Sequence, residues 1–341
     1  MVKHRIGLVG CGGIAHRHLA GYRAVVGERG AVVAACDPHR ATLEAFAERY
    51  GIAHRFLEPR ELLVSGEVDV ISLLTPPAVR GEVIFPALER GIAVLVEKPF
   101  ATSLADARAF VEAADRHRTP LAVNQQLRFM PDVLLARELL TAGRLGEVRL
   151  VAHDQFQNRT RTRGWRSDES RLEISIFSIH LLDRIRWLVG RPPLVVSATT
   201  RHWSEAVRGE TFTALTVQFE GGAVGTMVSS WHALAIPECR LRVDGTAGSL
   251  LSVKSEVVAD ECHVTVQRPG EAPSTQDASL PHAFTACMGE SMRRLLEAMD
   301  TGTEPVHSGR DNLHTMAIVD GAYLSAAQDG AAVSLAHLPA P

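Results

Sequence analysis

The sequence predicts an α/β domain with a parallel sheet, followed by an α+β domain with an open antiparallel sheet. In the first part, continuous apolar runs alternate with helical patterns, as in parallel strands covered by helices on both faces. After about residue 125 the pattern changes to strands joined by turns such as Glu220-Gly221-Gly222. A length of 341 residues suits two domains. We therefore predict domains at 1–124 and 125–341.

The first domain has a regular order of predicted elements. Strands are predicted at 5–9, 31–35, 68–74, 92–96 and 121–123, with one helix at 81–90 and another beginning after Ser103. Parallel strands place their carboxyl ends at one edge of the sheet, where ligands bind. Gly12, Asp37, the Thr75-Pro76-Pro77 turn and Lys98 all follow strands, so we expect them at that edge.

The second domain is predicted to mix strands with a few helices. The helices are at 131–140, 174–189, 283–300 and 310–328, and the strands are at 147–154, 194–202, 211–219, 223–231, 239–243, 249–253 and 262–267. An arginine-rich loop is predicted at 155–171, and another loop around 269–281. The last helix is a candidate for packing back on the first domain.

A glycine turn follows the first strand. Its sequence, Gly10-Cys11-Gly12-Gly13-Ile14-Ala15, has G-x-G-x-x-A spacing and opens a helix. Gly10 permits the tight turn, Gly12 the approach of a pyrophosphate, and the N–H groups at the helix start bind phosphates. The pattern predicts a dinucleotide site that includes Gly13 and Ile14.

Asp37 ends the second strand at the position of a ribose-binding acid. Its carboxylate would accept hydrogen bonds from a ribose diol and repel a 2′-phosphate, so NAD is favoured over NADP. Arg40 lies close enough to soften that preference. The alternative is that Asp37 only opens the turn before Pro38.

The composition excludes several classes of protein. Lys and Arg total 36 against 39 for Asp and Glu, a formal charge of −3, which argues against a nucleic-acid partner. No apolar run approaches the ~18 residues of a membrane helix, and we see no signal peptide. The five cysteines form no CxxC pair, which favours buried reduced thiols and a cytoplasmic location. His16 and His18 join no ligand cluster, so we expect no metal.

Short motifs along nearly the whole chain resemble one family. They are GCGGIA at 10–15, CDP at 36–38, TPP at 75–77, EKP at 97–99, RFMP at 128–131, WR at 165–166, HLLDRIRWLVG at 180–190 and DNLHTMAIVDGAYLSA at 311–326. Together they resemble the glucose–fructose oxidoreductase/inositol dehydrogenase (Gfo/Idh/MocA) family. The resemblance implies an N-terminal Rossmann domain, NAD(P)-dependent oxidation or reduction of sugars, polyols or sugar-like acids, and a homodimer or homotetramer.

The resemblance implies catalytic roles for Lys98 and His180, with Asp183 on the same helix face. A lysine at a strand end beside the cofactor can hydrogen-bond a hydroxyl and stabilise an alkoxide, and Glu97 would orient it. A surface lysine is the alternative. The pKa of histidine suits proton transfer near pH 7, although a lone histidine on an apolar face is often a core residue. The resemblance also suggests a cis peptide at Lys98–Pro99.

The chain departs from the family pattern near the predicted catalytic histidine. Ile176 stands where many members have an aspartate, and Ser170-Arg171-Leu172 replaces a common triple glycine. Glu173 is the nearest acid, and it could substitute only if the start of the helix is distorted. Arg80 occupies the position of a histidine that is common after TPP.

Other candidates for the site have two open interpretations each. Arg128 either approaches substrate or cofactor or forms a salt bridge that stabilises the fold. The loop arginines either bind an anionic group or form a solvated basic loop; they are Arg159, Arg161, Arg163 and Arg166. Trp165 either stacks on a ligand or packs internally. Trp165 and Arg166 are both candidates for contacts with the cofactor. His232, at a strand end, is a candidate substrate contact.

The leading hypothesis is hydride transfer between NAD and a hydroxyl or carbonyl carbon of a sugar-like molecule. Two alternatives stay open at the level of sequence. One is NAD-assisted elimination or glycoside cleavage without net oxidation, and the other is a non-catalytic NAD-binding sensor.

Overall fold

The computed structural model describes residues 3–159 and 162–335, and it divides into two compact units. The first contains the chain up to Gln126 together with Thr285–Leu313, and the second contains Leu127–Phe284 and the chain from His314 onward. The boundary predicted at 124/125 lies close to Gln126. However, the first unit is discontinuous, because a late segment returns to it.

A six-stranded parallel sheet forms the centre of the first unit. Its strands are β1 (His4–Val9), β2 (Gly30–Cys36), β3 (His54–Phe56), β4 (Val70–Leu73), β5 (Ala93–Glu97) and β6 (Leu121–Asn124). They lie in the order β3-β2-β1-β4-β5-β6, and every pairing is parallel. This is the Rossmann arrangement predicted from the apolar runs. The prediction omits β3, whose three residues are too few to give a pattern.

Helices connect the parallel strands. They are α1 (Gly13–Val25), α2 (Arg40–Tyr50), α3 (Pro59–Val64), α4 (Gly81–Glu89) and α5 (Leu104–His117). The side chain of Ser103 caps α5 by accepting a 3.1 Å hydrogen bond from the N–H of Asp106, so the predicted helix start is confirmed.

The returning segment completes the core of the first unit. After α6 (Pro131–Thr141) and α7 (Ile179–Val189), the last helices are α8 (Ala283–Thr301) and α9 (Gly309–Ala327). Met292, Leu295 and Leu296 of α8 belong to the same buried cluster as residues of β1 and α1. A β-carbon on Gly21 of α1 would lie 2.2 Å from the carbonyl oxygen of Thr285, which shows how closely the two backbones approach. The unit boundary falls within α9, after Leu313.

A nine-stranded sheet forms the centre of the second unit. Its strands are β7 (Val148–Phe156), β8 (Pro193–Arg201), β9 (Phe212–Phe219), β10 (Val224–Ser230), β11 (Glu238–Gly245), β12 (Ser249–Lys254), β13 (His263–Gln267), β14 (Ser274–Asp277) and β15 (Val333–Ser334). The order is β14-β13-β12-β11-β7-β10-β9-β8-β15. Alternate residues of β9 and β10 are buried, as expected when one face packs on a core.

The second sheet is mixed, which corrects one detail of the prediction. β7 and β10 pair in parallel, whereas the other neighbours are antiparallel. The chain leaves β7 through α7 and reaches β10 only after two further strands, so no hairpin constrains the pair. The strand β14 lies in the predicted loop 269–281; its four residues are all exposed, so no alternation marks it.

The predicted helix at 174–189 contains two kinds of helix. Glu173–Ser178 is π-helical, and the α-helix α7 begins at Ile179 and ends at Gly190 in a left-handed cap. Sequence periodicity cannot register this change, because the apolar residues continue across it.

Three features of residues 3–159 and 162–335 concern membranes, metals and disulfides. No helix there combines the length and the apolar character needed to span a membrane. Within the same ranges, no group of three or more His, Cys, Asp or Glu could hold a metal ion. The five cysteines are buried and carry free thiols.

Candidate active site

The glycine turn between β1 and α1 leaves open space for a ligand. Gly10 has a φ of 100°, which an L-residue rarely adopts. A β-carbon on Gly12 or Gly13 would have no other atom within 4 Å, and both residues are exposed. Ile14 is half-buried beside them. Because α1 begins here without a side-chain cap or an acid in its first turn, its N-terminus can receive a phosphate group.

Asp37 is anchored to this turn. Its Oδ2 accepts a 2.9 Å hydrogen bond from the N–H of Cys11, and its Oδ1 accepts one of 2.9 Å from the N–H of His39. The carboxylate therefore opens the turn after β2 and also faces the glycine turn. Each carboxylate oxygen has a second lone pair for a ribose hydroxyl. Arg40 is exposed at the first position of α2. The glycine turn and Asp37 thus fit the dinucleotide predicted for them.

Lys98 follows β5 at the carboxyl edge of the parallel sheet. It is half-buried, and the Lys98–Pro99 peptide is cis, as the resemblance suggests. The chain has only three lysines among its 36 basic residues, namely Lys3, Lys98 and Lys254. A guanidinium cannot give up its proton at physiological pH, whereas an ammonium can. The sequence therefore places one of its three lysine ammonium groups at this edge.

A buried polar network holds Glu97, the residue before Lys98. Oε1 of Glu97 lies 2.8 Å from Nε2 of His18, whose Nδ1 lies 2.8 Å from the Tyr22 hydroxyl. That hydroxyl is 2.7 Å from Oγ of Ser72, and Asn124 donates to Glu97. Burial alone would raise the pKa of Glu97, but the hydrogen bond and charge of His18 hold it below its ordinary value. The carboxylate of Glu97, the residue before Lys98, therefore stays ionised.

Arg80 joins the TPP turn to the EKP turn. Its Nε and Nη2 donate to the carbonyl oxygen of Thr75 at 3.1 and 2.8 Å. Its Nη1 donates to the carbonyl oxygens of Glu97 and Pro99, on either side of Lys98. Pro76 is exposed and Pro77 half-buried in the first of these turns. The two turns are thus held together by one side chain.

The predicted catalytic residues of the second unit have different surroundings. His180 is the second residue of α7 and is 7% exposed. Asp183 is fully buried. Its carboxylate accepts hydrogen bonds from Nε and Nη2 of Arg128, and its Oδ1 accepts one of 2.9 Å from the Thr315 hydroxyl. Of the two interpretations of Arg128 that the sequence left open, the structure shows the salt bridge. A carboxylate with these partners stabilises the fold, and its role in proton transfer stays a prediction.

The start of the α7 region is distorted, which was the condition for Glu173 to replace the missing acid. Glu173 opens the π-helix and is fully buried, and Ser178 donates a hydrogen bond to its Oε1. Burial raises the pKa of Glu173 above its ordinary value. Ile176 belongs to an apolar cluster with Leu172 and Trp231. The family aspartate is therefore replaced by a core side chain.

Three of the remaining candidates of the arginine-rich loop lie in or beside a short 3₁₀ helix. Arg163, Trp165 and Arg166 lie in or beside the 3₁₀ helix Gly164–Asp168; Arg163 is exposed and Trp165 is 43% exposed. The Arg166 guanidinium stacks over the indole of Trp165 at 4.9 Å. Arg159 stacks over Phe177 at 4.7 Å, and Arg161 lies outside the described residues. Their roles toward a ligand stay predictions.

His232 joins an aromatic group at the ends of β9 and β10. Its Nε2 lies 3.2 Å from the Thr211 hydroxyl, and its ring packs edge-on against Trp203. Trp203 is 54% exposed. Exposure of this group is compatible with a substrate contact, and the contact of His232 stays a prediction.

Sequence reasoning missed the residues that support Lys98. In the sequence alone, His18 suggests only a possible metal ligand, and Arg80 only a departure from a motif. The spacing of His18 and Tyr22, one turn apart on a buried helix face, was the available signal for the network. The contacts of Arg80 join turns far apart in sequence, so no local pattern could reveal them.

Comparison with known sequences identifies both units. A sequence profile described as "Oxidoreductase family, NAD-binding Rossmann fold" matches residues 4–125, and one described as "GFO/IDH/MocA C-terminal domain" matches residues 133–251. The chain belongs to the Gfo/Idh/MocA family. It is an NAD-dependent oxidoreductase, as the glycine turn and Asp37 predict.

Several Gfo/Idh/MocA relatives align along most of the chain. D-apiose dehydrogenase from Paraburkholderia graminis is 29% identical over 98% of this chain and 90% of the relative. Inositol 2-dehydrogenase from Rhizobium meliloti is 25% identical over 95% of this chain and 97% of the relative.

A solved structure supports the same fold. An oxidoreductase from Agrobacterium radiobacter, in complex with NAD⁺, L-tartaric acid and magnesium, superposes with a TM-score of 0.90 at 23% identity. The alignment covers 99% of this chain and 100% of that one.

Proposed function

We propose that this Gfo/Idh/MocA protein oxidises a secondary hydroxyl of a sugar, polyol or sugar-like acid, or reduces the corresponding carbonyl, with NAD. The observation that carries the proposal is the lysine at the edge of the NAD-binding sheet, supported by a buried carboxylate. The two named relatives are dehydrogenases of a sugar and of a polyol. They support this substrate class and favour neither elimination nor a sensor.

The first unit supplies the groups that would hold the cofactor. The N-terminus of α1 and the open space at Gly12 and Gly13 would receive the pyrophosphate, and Asp37 the ribose diol. Thr75-Pro76-Pro77 and Glu97 border the same edge of the sheet. When bound, NAD supplies the hydride acceptor.

Lys98 and His180 are the proposed proton carriers. Nζ of Lys98 would hydrogen-bond the reacting oxygen and stabilise negative charge on it, because an ammonium close to a developing alkoxide lowers its energy. A neutral imidazole nitrogen of His180 would take the hydroxyl proton during oxidation and return it during reduction. Asp183 and Arg128 would then act through the position of α7, since they pair with each other.

Three groups of the second unit are candidates for substrate or cofactor contacts. His232 with Trp203 presents a partly exposed aromatic surface of the kind that packs on sugar rings. Arg163 and Arg166 would suit a carboxylate of a sugar acid. We place Trp165 with the cofactor, as the family motif implies. The cytoplasmic location and a homo-oligomer are parts of the same proposal.

The experiment is turnover with a panel of pentoses, hexoses, inositols and aldonic acids, followed by the near-ultraviolet absorbance of NADH. We expect one class to be oxidised, with kcat falling at least about a hundredfold in Lys98→Met and in His180→Ala. Lys98→Arg keeps the charge but cannot release a proton near neutral pH, so it separates charge stabilisation from proton transfer. Lys3→Met is the control for loss of a lysine elsewhere. Full turnover by Lys98→Met would overturn the proposal.

A further inference from the structure

We propose that Arg80 is the residue that positions Lys98, by fixing the backbone on both sides of it to the TPP turn. The inference rests on the proposed function, because it takes Lys98 as the group that stabilises charge on the reacting oxygen. It assigns a role to a residue that in this chain replaces the histidine common in the family.

The contacts of Arg80 are confined to backbone carbonyls of two turns. One carbonyl, that of Thr75, accepts from both Nε and Nη2. The other two, of Glu97 and Pro99, flank Lys98 and accept from Nη1. Four N–H bonds of one rigid, planar group thus define the distance between the turns. Since Lys98 lies between two of the three acceptors, its Cα can shift only if these bonds break.

The burial of Arg80 requires that its N–H donors have acceptors. Arg80 is 2% exposed, and burying a cation costs many kcal/mol unless its donors are satisfied. Burial lowers the pKa of Arg80 to about 10, and the charge of Glu97 opposes that decrease. The group therefore stays protonated at neutral pH and keeps its full set of donors. A lysine would retain the charge but could not reach acceptors in the same fork geometry.

The position of Arg80 in the fold makes the coupling direct. It precedes α4 as the N-cap residue, and its carbonyl accepts from the N–H groups of Val83 and Ile84 at 3.0 and 2.8 Å. The backbone at Arg80 is therefore fixed by a helix, and its guanidinium transmits that rigidity to the EKP turn. Preorganisation of this kind matters in catalysis, since displacement of a catalytic group by about 1 Å can cost about a hundredfold in rate.

The test is a double-variant cycle on the full chain with the substrate found in the panel. Arg80→Met is expected to lower kcat by about tenfold to a hundredfold, with a much smaller change in KM. In a Lys98→Met background the same substitution is expected to change kcat less than about twofold, because the group it positions is already absent. Arg80→Lys should recover part of the loss, and guanidinium ion at low millimolar concentration should partly rescue Arg80→Ala.

Controls separate this role from a general loss of stability. Thr119→Ala removes a buried 2.9 Å hydrogen bond to the carbonyl of Leu88 in the same unit, and it should lower the unfolding midpoint without changing kcat. If Arg80→Met does not fold, Arg80→Lys and the guanidinium rescue carry the test. Equal losses from Arg80→Met with and without Lys98, or wild-type kcat in Arg80→Met, would overturn the inference. Full activity of Lys98→Met would instead overturn the proposed function.

Discussion

Arg128 and Asp183 form a fully buried, two-pronged ion pair in the second unit. Nη2 of Arg128 lies 2.6 Å from Oδ1 of Asp183, and Nε donates to Oδ2. Arg186 approaches the same Oδ1 at 3.5 Å. The pair joins the segment before α6 to the middle of α7, the helix that carries His180. Two residues predicted to act on substrate are thus each other's partners.

Breaking this pair should unfold the second unit more readily. We expect Arg128→Met and Asp183→Asn each to lower the free energy of unfolding by about 3–5 kcal/mol, because each leaves an uncompensated buried group. The double variant should lose less than the sum of the two. Urea unfolding followed by tryptophan fluorescence measures this. A fall in kcat of Asp183→Asn with an unchanged unfolding midpoint would instead assign Asp183 to catalysis.

Asp37 should determine the preference for NAD over NADP. Asp37→Asn keeps one acceptor oxygen, replaces the other with an NH₂ donor and removes the charge. We expect the Kd for NAD to rise about tenfold. The preference for NAD, expressed as the Kd for NADP divided by the Kd for NAD, should fall by at least that factor, since repulsion of the 2′-phosphate is lost. Isothermal titration with both cofactors measures it. His39→Ala is the control, because His39 lies beside Asp37 with its side chain 83% exposed.

Two neighbouring glycines should respond differently to substitution. Gly12→Ala places its methyl group in open space, so the protein should fold normally and bind NAD at least about tenfold more weakly. Gly10→Ala forces a φ of 100° on an L-residue, with Leu74 3.3 Å from the new β-carbon, so it should lower the melting temperature. Thermal unfolding and NAD titration of both variants test the contrast. A destabilised Gly12→Ala would show that the space is not open.

The second unit should lose stability in mild acid because of His153. Burial, followed by the charge of Arg184, lowers the pKa of His153 from 6.5 to about 3. Its Nε2 lies 2.9 Å from Nη1 of Arg184, so it must accept, while Nδ1 is 3.1 Å from the carbonyl of Arg240 and donates. The folded chain holds a neutral imidazole, whereas the unfolded chain takes up a proton below about pH 6.5.

The sign of the effect follows from this difference in proton binding. The contribution of His153 is complete above pH 6.5 and should fall by up to about 1.4 kcal/mol for each pH unit between 6.5 and 3. Urea unfolding at pH 7 and pH 5 measures it. His153→Gln can keep both hydrogen bonds without titrating. Its free energy of unfolding should therefore fall less between pH 7 and pH 5 than that of the wild type, by the contribution of His153. Equal slopes for the two proteins would refute the assignment.

Sequence patterns were sufficient where a local interaction determines the structure. The strands β1, β2, β4, β5 and β6, the cap at Ser103 and the turn at Gly10 each have a pattern within a few residues, and Asp37 is predicted by its spacing from the glycine turn. The change of pattern after about residue 125 indicated the second domain, and the family motifs added the role of the EKP lysine.

Sequence patterns could not anticipate the features that depend on residues distant in the chain. The partner of Asp183 is Arg128, fifty-five positions away, so the helix-face argument that linked Asp183 to His180 could not anticipate it. The π-helix at Glu173 and the parallel pairing of β7 with β10 depend on packing in the second unit. Polar strands such as β14 have no apolar alternation to detect.

The discontinuity of the first unit has a consequence for how the protein is made. Met292, Leu295 and Leu296 belong to the core that covers β1, and they are translated after most of the second unit. On the ribosome, the apolar surface of the Rossmann sheet that α8 covers therefore stays exposed until the chain is nearly finished. A fragment ending at Gln126 should behave as an aggregation-prone intermediate, and nascent chains of this protein should depend on chaperones until α8 emerges.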